Sequence, residues 1–105
     1  DKLEQLTAQK DSLNHCLGPL DRVYQSSKPQ RVVDAGWQRI IEINTTGCEQ
    51  WVLWNPGKNI AEQMADIHVD GYKEYVCLEA ANTSWVSILP NEQAVMNQTI
   101  TIKAF

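Results

Sequence analysis

Apolar residues recur at every second position through most of this chain, and that spacing commits it to β-strands rather than helices. Along Trp37-Gln38-Arg39-Ile40-Ile41-Glu42-Ile43-Asn44, the residues Trp37, Arg39, Ile41 and Ile43 fall on one face. The run stops at Thr45-Thr46-Gly47, which reads as a turn. Glu49 to Trp54 follows as the expected antiparallel partner, with Trp51 and Leu53 on one side and Val52 and Trp54 on the other. Large residues on both faces imply a strand covered by two layers. Asn55-Pro56-Gly57 then ends it, because proline lacks an N–H donor and glycine accepts a reversed backbone.

The alternation lapses between Lys58 and Tyr72, where Ile60, Ala61, Met64 and Ile67 stand at roughly helical spacing. A short helical or irregular excursion is expected there, with Asp70-Gly71 turning the chain back. Strands are expected again at Tyr75–Ala81, Trp85–Leu89 and Ala94–Ala104, with Pro90-Asn91-Glu92 as the turn between the last two. In the last strand, Met96, Gln98, Ile100 and Ile102 share one face, and Thr99, Thr101 and Lys103 share the solvent face. Leu20–Tyr24 and Gln30–Asp34 read as a further hairpin. Leu3, Leu6 and Leu13 would line a helix, but without a cap or a clean stripe. The fold class is therefore mainly β, an antiparallel β-sandwich.

Composition narrows function. With 105 residues the chain fits one small domain. Its net charge of −4, with lysines and arginines scattered along the sequence, offers no basic stripe for nucleic acid. No apolar run approaches membrane-spanning length, and Asp1-Lys2-Leu3-Glu4 is unlike a signal peptide. Cys16, Cys48 and Cys77 are odd in number and contain no CxxC pair, and His15 and His68 lack partners at metal-ligand spacing. Three reduced thiols in a cytoplasmic protein are the expectation. The N-x-S/T triplets at Asn44, Asn82 and Asn97 read as chance occurrences in a chain with no secretion signal.

The residue with most chemical content is Glu79. In the strand Tyr75–Ala81 it shares a face with Tyr75, Cys77 and Ala81, opposite Val76, Leu78 and Ala80. An aromatic, a thiol and one carboxylate together suggest a partly enclosed acid, prepared for proton transfer. The competing reading is a glutamate on an edge strand facing water.

In order along the chain stand Asp21-Arg22-Val23-Tyr24, Arg39-Ile40-Ile41, Trp54-Asn55-Pro56-Gly57, Met64-Ala65-Asp66, Asp70-Gly71-Tyr72 and Val76-Cys77-Leu78-Glu79. This ordered set resembles the C-terminal part of the hexose-6-phosphate mutarotases (glucose-6-phosphate 1-epimerases), a branch of the aldose 1-epimerase superfamily. The resemblance covers essentially the whole chain. It implies a segment of a longer single domain, a galactose-mutarotase-like supersandwich, that interconverts the α and β anomers of glucose 6-phosphate without metal or organic cofactor. It further implies that a carboxylate removes the anomeric hydroxyl proton while a histidine protonates the ring oxygen, so that the ring opens and recloses on the other face.

By the same resemblance Glu79 matches the catalytic carboxylate, and Asp21 corresponds to an acid that accepts hydrogen bonds from sugar hydroxyls. For Asp21, pairing with Arg22 or capping a turn stands as an equal alternative. Arg22 is read as an ion-pair or solvated residue before a phosphate ligand, and Trp54 as packing before a stacking platform. The family's catalytic histidine, its substrate-orienting histidine and most of its phosphate-binding arginines lie upstream of the matched region; His15 and His68 do not fall at those positions. The expected partner is a hexose 6-phosphate, and the isolated segment is expected to lack activity and to expose strand edges that favour self-association. A non-catalytic carbohydrate-binding sandwich is the alternative.

Overall fold

The computed structural model describes Ala8, Gln9, Leu13 and residues 15–105. The helix read from Leu3 and Leu6 lies outside the described residues, and Leu13 is in no regular element. Six strands and one short helix follow: β1 (Leu20–Tyr24), β2 (Gln30–Asp34), β3 (Arg39–Thr46), β4 (Gln50–Asn55), α1 (Gly57–Ala61), β5 (Cys77–Ala81) and β6 (Asn97–Ala104). They form two three-stranded sheets, ordered β1-β4-β5 and β2-β3-β6. The mainly β, antiparallel class expected from the alternation is what the chain adopts.

The described residues divide into two compact units, one holding those up to Tyr24 with Val52–Glu79, the other Gln25–Trp51 with Ala80–Phe105. In the second unit β3 is the middle strand. It pairs antiparallel with β2, placing Val32 opposite Ile41 and Asp34 opposite Arg39, and with β6, placing Ile102 opposite Ile41 and Ile100 opposite Ile43. Directly paired residues point to the same side. Val32, Ile41 and Ile102 therefore make one apolar row, and the buried Ile43 extends it. The sheet margin is tied by Arg39 Nε to Asp34 Oδ2 at 2.8 Å, and its opposite face by Lys103 Nζ to Glu42 Oε2 at 3.1 Å. All four side chains are partly exposed, so each pair contributes only about 0–1 kcal/mol.

Two expected hairpins are not formed. β1 and β2 lie in different sheets, and so do β3 and β4. The linker between β1 and β2 instead makes a local turn, Lys28 N–H donating to Ser26 Oγ, while the Lys28 carbonyl accepts from the buried Trp51 indole at 3.0 Å. Between β3 and β4, Asn82 spans the connection: its amide donates to the Gly47 carbonyl at 2.7 Å, and its Oδ1 accepts from Glu49 N–H at 3.0 Å. Side chains distant in sequence thus occupy the linker groups that a tight hairpin would have used itself.

Other boundaries moved as well. Trp37 belongs to a 3-10 turn at Ala35–Trp37, and β3 begins at Arg39 and continues through Thr45-Thr46. Trp85–Leu89 is not a strand: it joins neither sheet, and Trp85, Val86, Ile88 and Leu89 are exposed. β-propensity without a partner ladder does not make a strand. The turn at Pro90-Asn91-Glu92 is present, with Glu92 N–H donating to Leu89 O and Asn91 at φ 66°. β6 starts at Asn97, not Ala94, and both its faces are exposed, so no solvent face is distinguished.

The first unit is organised around the end of β4. β4 is the middle strand of its sheet and has no exposed residue. Gly18, at φ 70°, lies so close to the turn after β4 that an added Cβ would stand 2.7 Å from the Asn55 carbonyl and 2.8 Å from Gly57 N. Gly57, at φ 74°, meets Pro19 N at 2.8 Å in the same sense. Gly18-Pro19 and Asn55-Pro56-Gly57 therefore interlock backbone to backbone, which only glycine permits. The excursion after Gly57 is short, as expected: α1 gives way to turns, and Asp70 adopts the left-handed conformation before Gly71.

Gly18→Ala combines a left-handed backbone with a clash against main-chain atoms that cannot move aside. It is expected to destabilise the protein by about 2 kcal/mol or more, read as a lower urea midpoint at unchanged m-value. Gly36→Ala, whose Cβ would meet only the Asp34 carboxylate at 3.7 Å, serves as the benign control.

Candidate functional site

The polar centre of the first unit is Asn55, whose side chain is fully buried at 0 % exposure. Its Nδ2 donates to the carbonyls of Cys16, Tyr72 and Tyr75, each at 2.8 Å. Its Oδ1 accepts from Gly57 N–H at 3.0 Å. An amide carries two N–H protons, so two donors serve three carbonyls and one proton is shared. Four backbone groups from three separate stretches are satisfied by one side chain, and no buried side-chain polar atom among the described residues lacks a partner.

Around this anchor the interlocked turns open a cleft of about 230 Å³, lined by Pro19, Leu20, Asp21, Trp54, Asn55, Pro56 and Ile60. Two of the sequence-derived candidates meet here. Asp21 lies on β1, exposed at the cleft, and Trp54 lies half-buried on the neighbouring strand β4. An indole, one carboxylate and the apolar side chains of Pro19, Leu20, Pro56 and Ile60 line the cleft.

Glu79 does not line this cleft; it lies on β5, the strand on the other side of β4 from β1. The sheet order thus puts the three candidates on three adjacent strands. The partly enclosed setting expected for Glu79 is not found, because its side chain is exposed in this chain. The strand expected over Tyr75–Ala81 begins only at Cys77, so Tyr75 precedes it, and Cys77 and Glu79 alone keep the alternating relation within β5. Desolvation, then the charge of Glu79, pushes the half-buried Cys77 thiol up from its ordinary value. Desolvation, then Cys77 and Asp66, raises the Tyr75 phenol, whose side is about a third open to solvent. Partial burial of the backbone run into β5 therefore counts for more here than any single charge.

The remaining candidates are occupied elsewhere. Arg22 Nη1 donates to Gln9 Oε1 at 3.1 Å and to the Tyr24 hydroxyl at 3.3 Å, and that hydroxyl donates to Gln9 Oε1. His15 is exposed. His68, also exposed, pairs with Glu74 at 2.8 Å. All three cysteines are free thiols. Among the described residues no group of three His, Cys, Asp or Glu side chains could hold a metal ion, and no helix is long and apolar enough to cross a membrane. Sequence reading missed Asn55 as the anchor and Gly18-Pro19 as its counterpart. The available signal was an Asn-Pro-Gly turn that keeps a polar amide directly after Trp54 at the end of an apolar strand.

Comparison with known proteins gives two similar sequences. The chain is 34% identical over 84 residues, 78% of its length, to an Escherichia coli (strain K12) protein named "Putative glucose-6-phosphate 1-epimerase". It is 38% identical over 60 residues, 56% of its length, to a Salmonella typhimurium (strain LT2) protein of the same name. The matched stretches span only 29% and 20% of those two proteins. No family model matches the chain, and no solved structure matches it.

The raised Cys77 thiol carries a pH consequence. A group whose folded value lies above its unfolded value keeps its proton longer in the folded state, so stability is full below the unfolded value and falls as the pH rises above about 9. In a Cys16→Ser/Cys48→Ala background, Cys77 is expected to react more slowly with a disulfide reagent at pH 8 in the folded protein than in urea. The midpoint of urea unfolding is expected to fall between pH 8 and pH 10, and Cys77→Ala is expected to reduce that fall.

Proposed function

We propose that this chain is the C-terminal part of a sugar-phosphate mutarotase of the glucose-6-phosphate 1-epimerase type, folded in full as a galactose-mutarotase-like supersandwich. The similarity to the two epimerase-named proteins supports the epimerase type, and the C-terminal placement and supersandwich rest on the resemblance of the ordered motifs from Asp21-Arg22-Val23-Tyr24 to Val76-Cys77-Leu78-Glu79. The substrate is a hexose 6-phosphate and the protein works in the cytoplasm.

Glu79 is the general base that takes the proton from the anomeric hydroxyl. The ring C–O bond then breaks as a histidine from the preceding sequence protonates the ring oxygen. Rotation about C1–C2 and the reverse proton transfers close the other anomer. Asp21 accepts hydrogen bonds from sugar hydroxyls beside Trp54. The exposure of Glu79 accords with a base whose enclosing wall is supplied by the rest of the domain. Edge strand β6, with Ile100 and Ile102 exposed, favours self-association when this segment stands alone.

A second reading, a carbohydrate-binding sandwich without turnover, draws on the same cleft, because Trp54 and Asp21 can hold a sugar without any base.

In the full-length protein, Glu79→Gln is expected to abolish anomer exchange of glucose 6-phosphate, followed by NMR exchange spectroscopy, and to leave sugar-phosphate binding mostly intact. Near-normal kcat in that variant would make Glu79 structural. The 105-residue segment alone is expected to accelerate mutarotation no faster than the spontaneous rate in polarimetry; a faster rate would overturn that claim.

A further inference from the structure

We infer that Asn55 is a positioning residue: its buried amide fixes the strand bearing Glu79 and the strand bearing Asp21 to the strand bearing Trp54. The inference rests on the mutarotase reading of those three residues. Nothing in that reading requires Asn55, which stands at the cleft wall with its buried amide engaged by backbone groups.

Two of the three donated bonds go to the carbonyls of Tyr72 and Tyr75, in the run that leads directly into β5. The third goes to the Cys16 carbonyl, two residues before the Gly18-Pro19 step that opens β1. The Oδ1 atom holds Gly57 N–H at the start of α1, across from Pro19. Glu79 is exposed within this chain, so here its position follows the backbone of β5.

A strand is a stiff element that advances about 3.3 Å per residue. A shift at Tyr75 therefore travels along β5 to Glu79, four residues on. Only asparagine combines a short stem with two donors and one acceptor. Serine keeps one donor, alanine keeps none, and aspartate would turn a carboxylate toward three carbonyl oxygens.

The test uses the full-length protein and glucose 6-phosphate, with Asn55→Ala, Asn55→Ser and Glu79→Gln compared with the unmodified protein. Anomer exchange is measured by NMR and normalised to the folded fraction from circular dichroism. Per folded molecule, Asn55→Ala is expected to lose on the order of 10²-fold in kcat, the scale set by a misplacement of about 1 Å, and to raise KM. Asn55→Ser should fall between it and the unmodified protein, and it decides the matter if the alanine variant does not fold.

Hydrogen exchange supplies the second readout: β5 amides should lose protection while those of β3 and β6 keep theirs. Unchanged kcat and KM per folded molecule, or a loss of protection equal in all strands, overturns the inference. If Glu79→Gln is inactive while the Asn55 variants keep both constants, the mutarotase reading stands and this inference alone fails. If Glu79→Gln turns over normally, the reading fails and takes the inference with it.

Discussion

The hydrogen bonds of Asn55 are the constraint on which the first unit depends. Three carbonyls, from Cys16, Tyr72 and Tyr75, converge on one amide that no water reaches. A buried carbonyl without a donor costs about 1–3 kcal/mol, so these stretches have strong reason to stay together. The close approach of Gly18-Pro19 to Asn55-Pro56-Gly57 goes with these bonds: the segment whose Cys16 carbonyl meets the amide passes within backbone contact of the turn two residues later. The cleft bearing Asp21 and Trp54 is the outer surface of that same junction.

The second unit is built differently. Its sheet relies on cross-strand apolar rows through Val32, Ile41 and Ile102 and on side-chain clips rather than on one buried anchor. Asn82 and Gln50 do for its connections what Asn55 does in the first unit. Gln50 donates to Gln25 Oε1 and accepts from Thr83 N–H, each at 3.0 Å, and Asn82 holds Gly47 and Glu49. Gly47 has no room for a side chain because Val95 and Met96 lie against it. The apolar side chains of Trp85–Leu89 and β6 stay exposed, so burial contributes little there, and the ladder with β3 carries β6.

The strands that carry the candidate residues were legible in the sequence, and their surroundings were not. Period-two spacing put Cys77 and Glu79 two residues apart on one strand, as β5 has them, while Tyr75 lies before the strand begins. It did not show that Glu79 faces solvent, because alternation sorts residues into two faces without saying what covers either one. The Asn-Pro-Gly turn was legible as a strand end, yet the chemistry of its asparagine was not. Asn55 acts on carbonyls 17, 20 and 39 residues away, and no local pattern records where those carbonyls come to lie.

What the sequence determined by itself is the mainly β class, the strands around Leu20, Gln30, Ile41, Trp51 and Leu78, and the breaks at Asn55-Pro56-Gly57 and Asp70-Gly71. These follow from side-chain alternation and from backbone limits that act within a few residues. Tertiary structure alone decided which strands pair. It set β1 beside β4 and β3 beside β2 and β6, separated two expected hairpins, and left Trp85–Leu89 without a ladder. The physical reason is that a strand satisfies its N–H and C=O groups with whatever partner the whole chain brings alongside. In this fold distant groups, the Trp51 indole and the Asn55 and Asn82 amides, hold carbonyls of the linking segments.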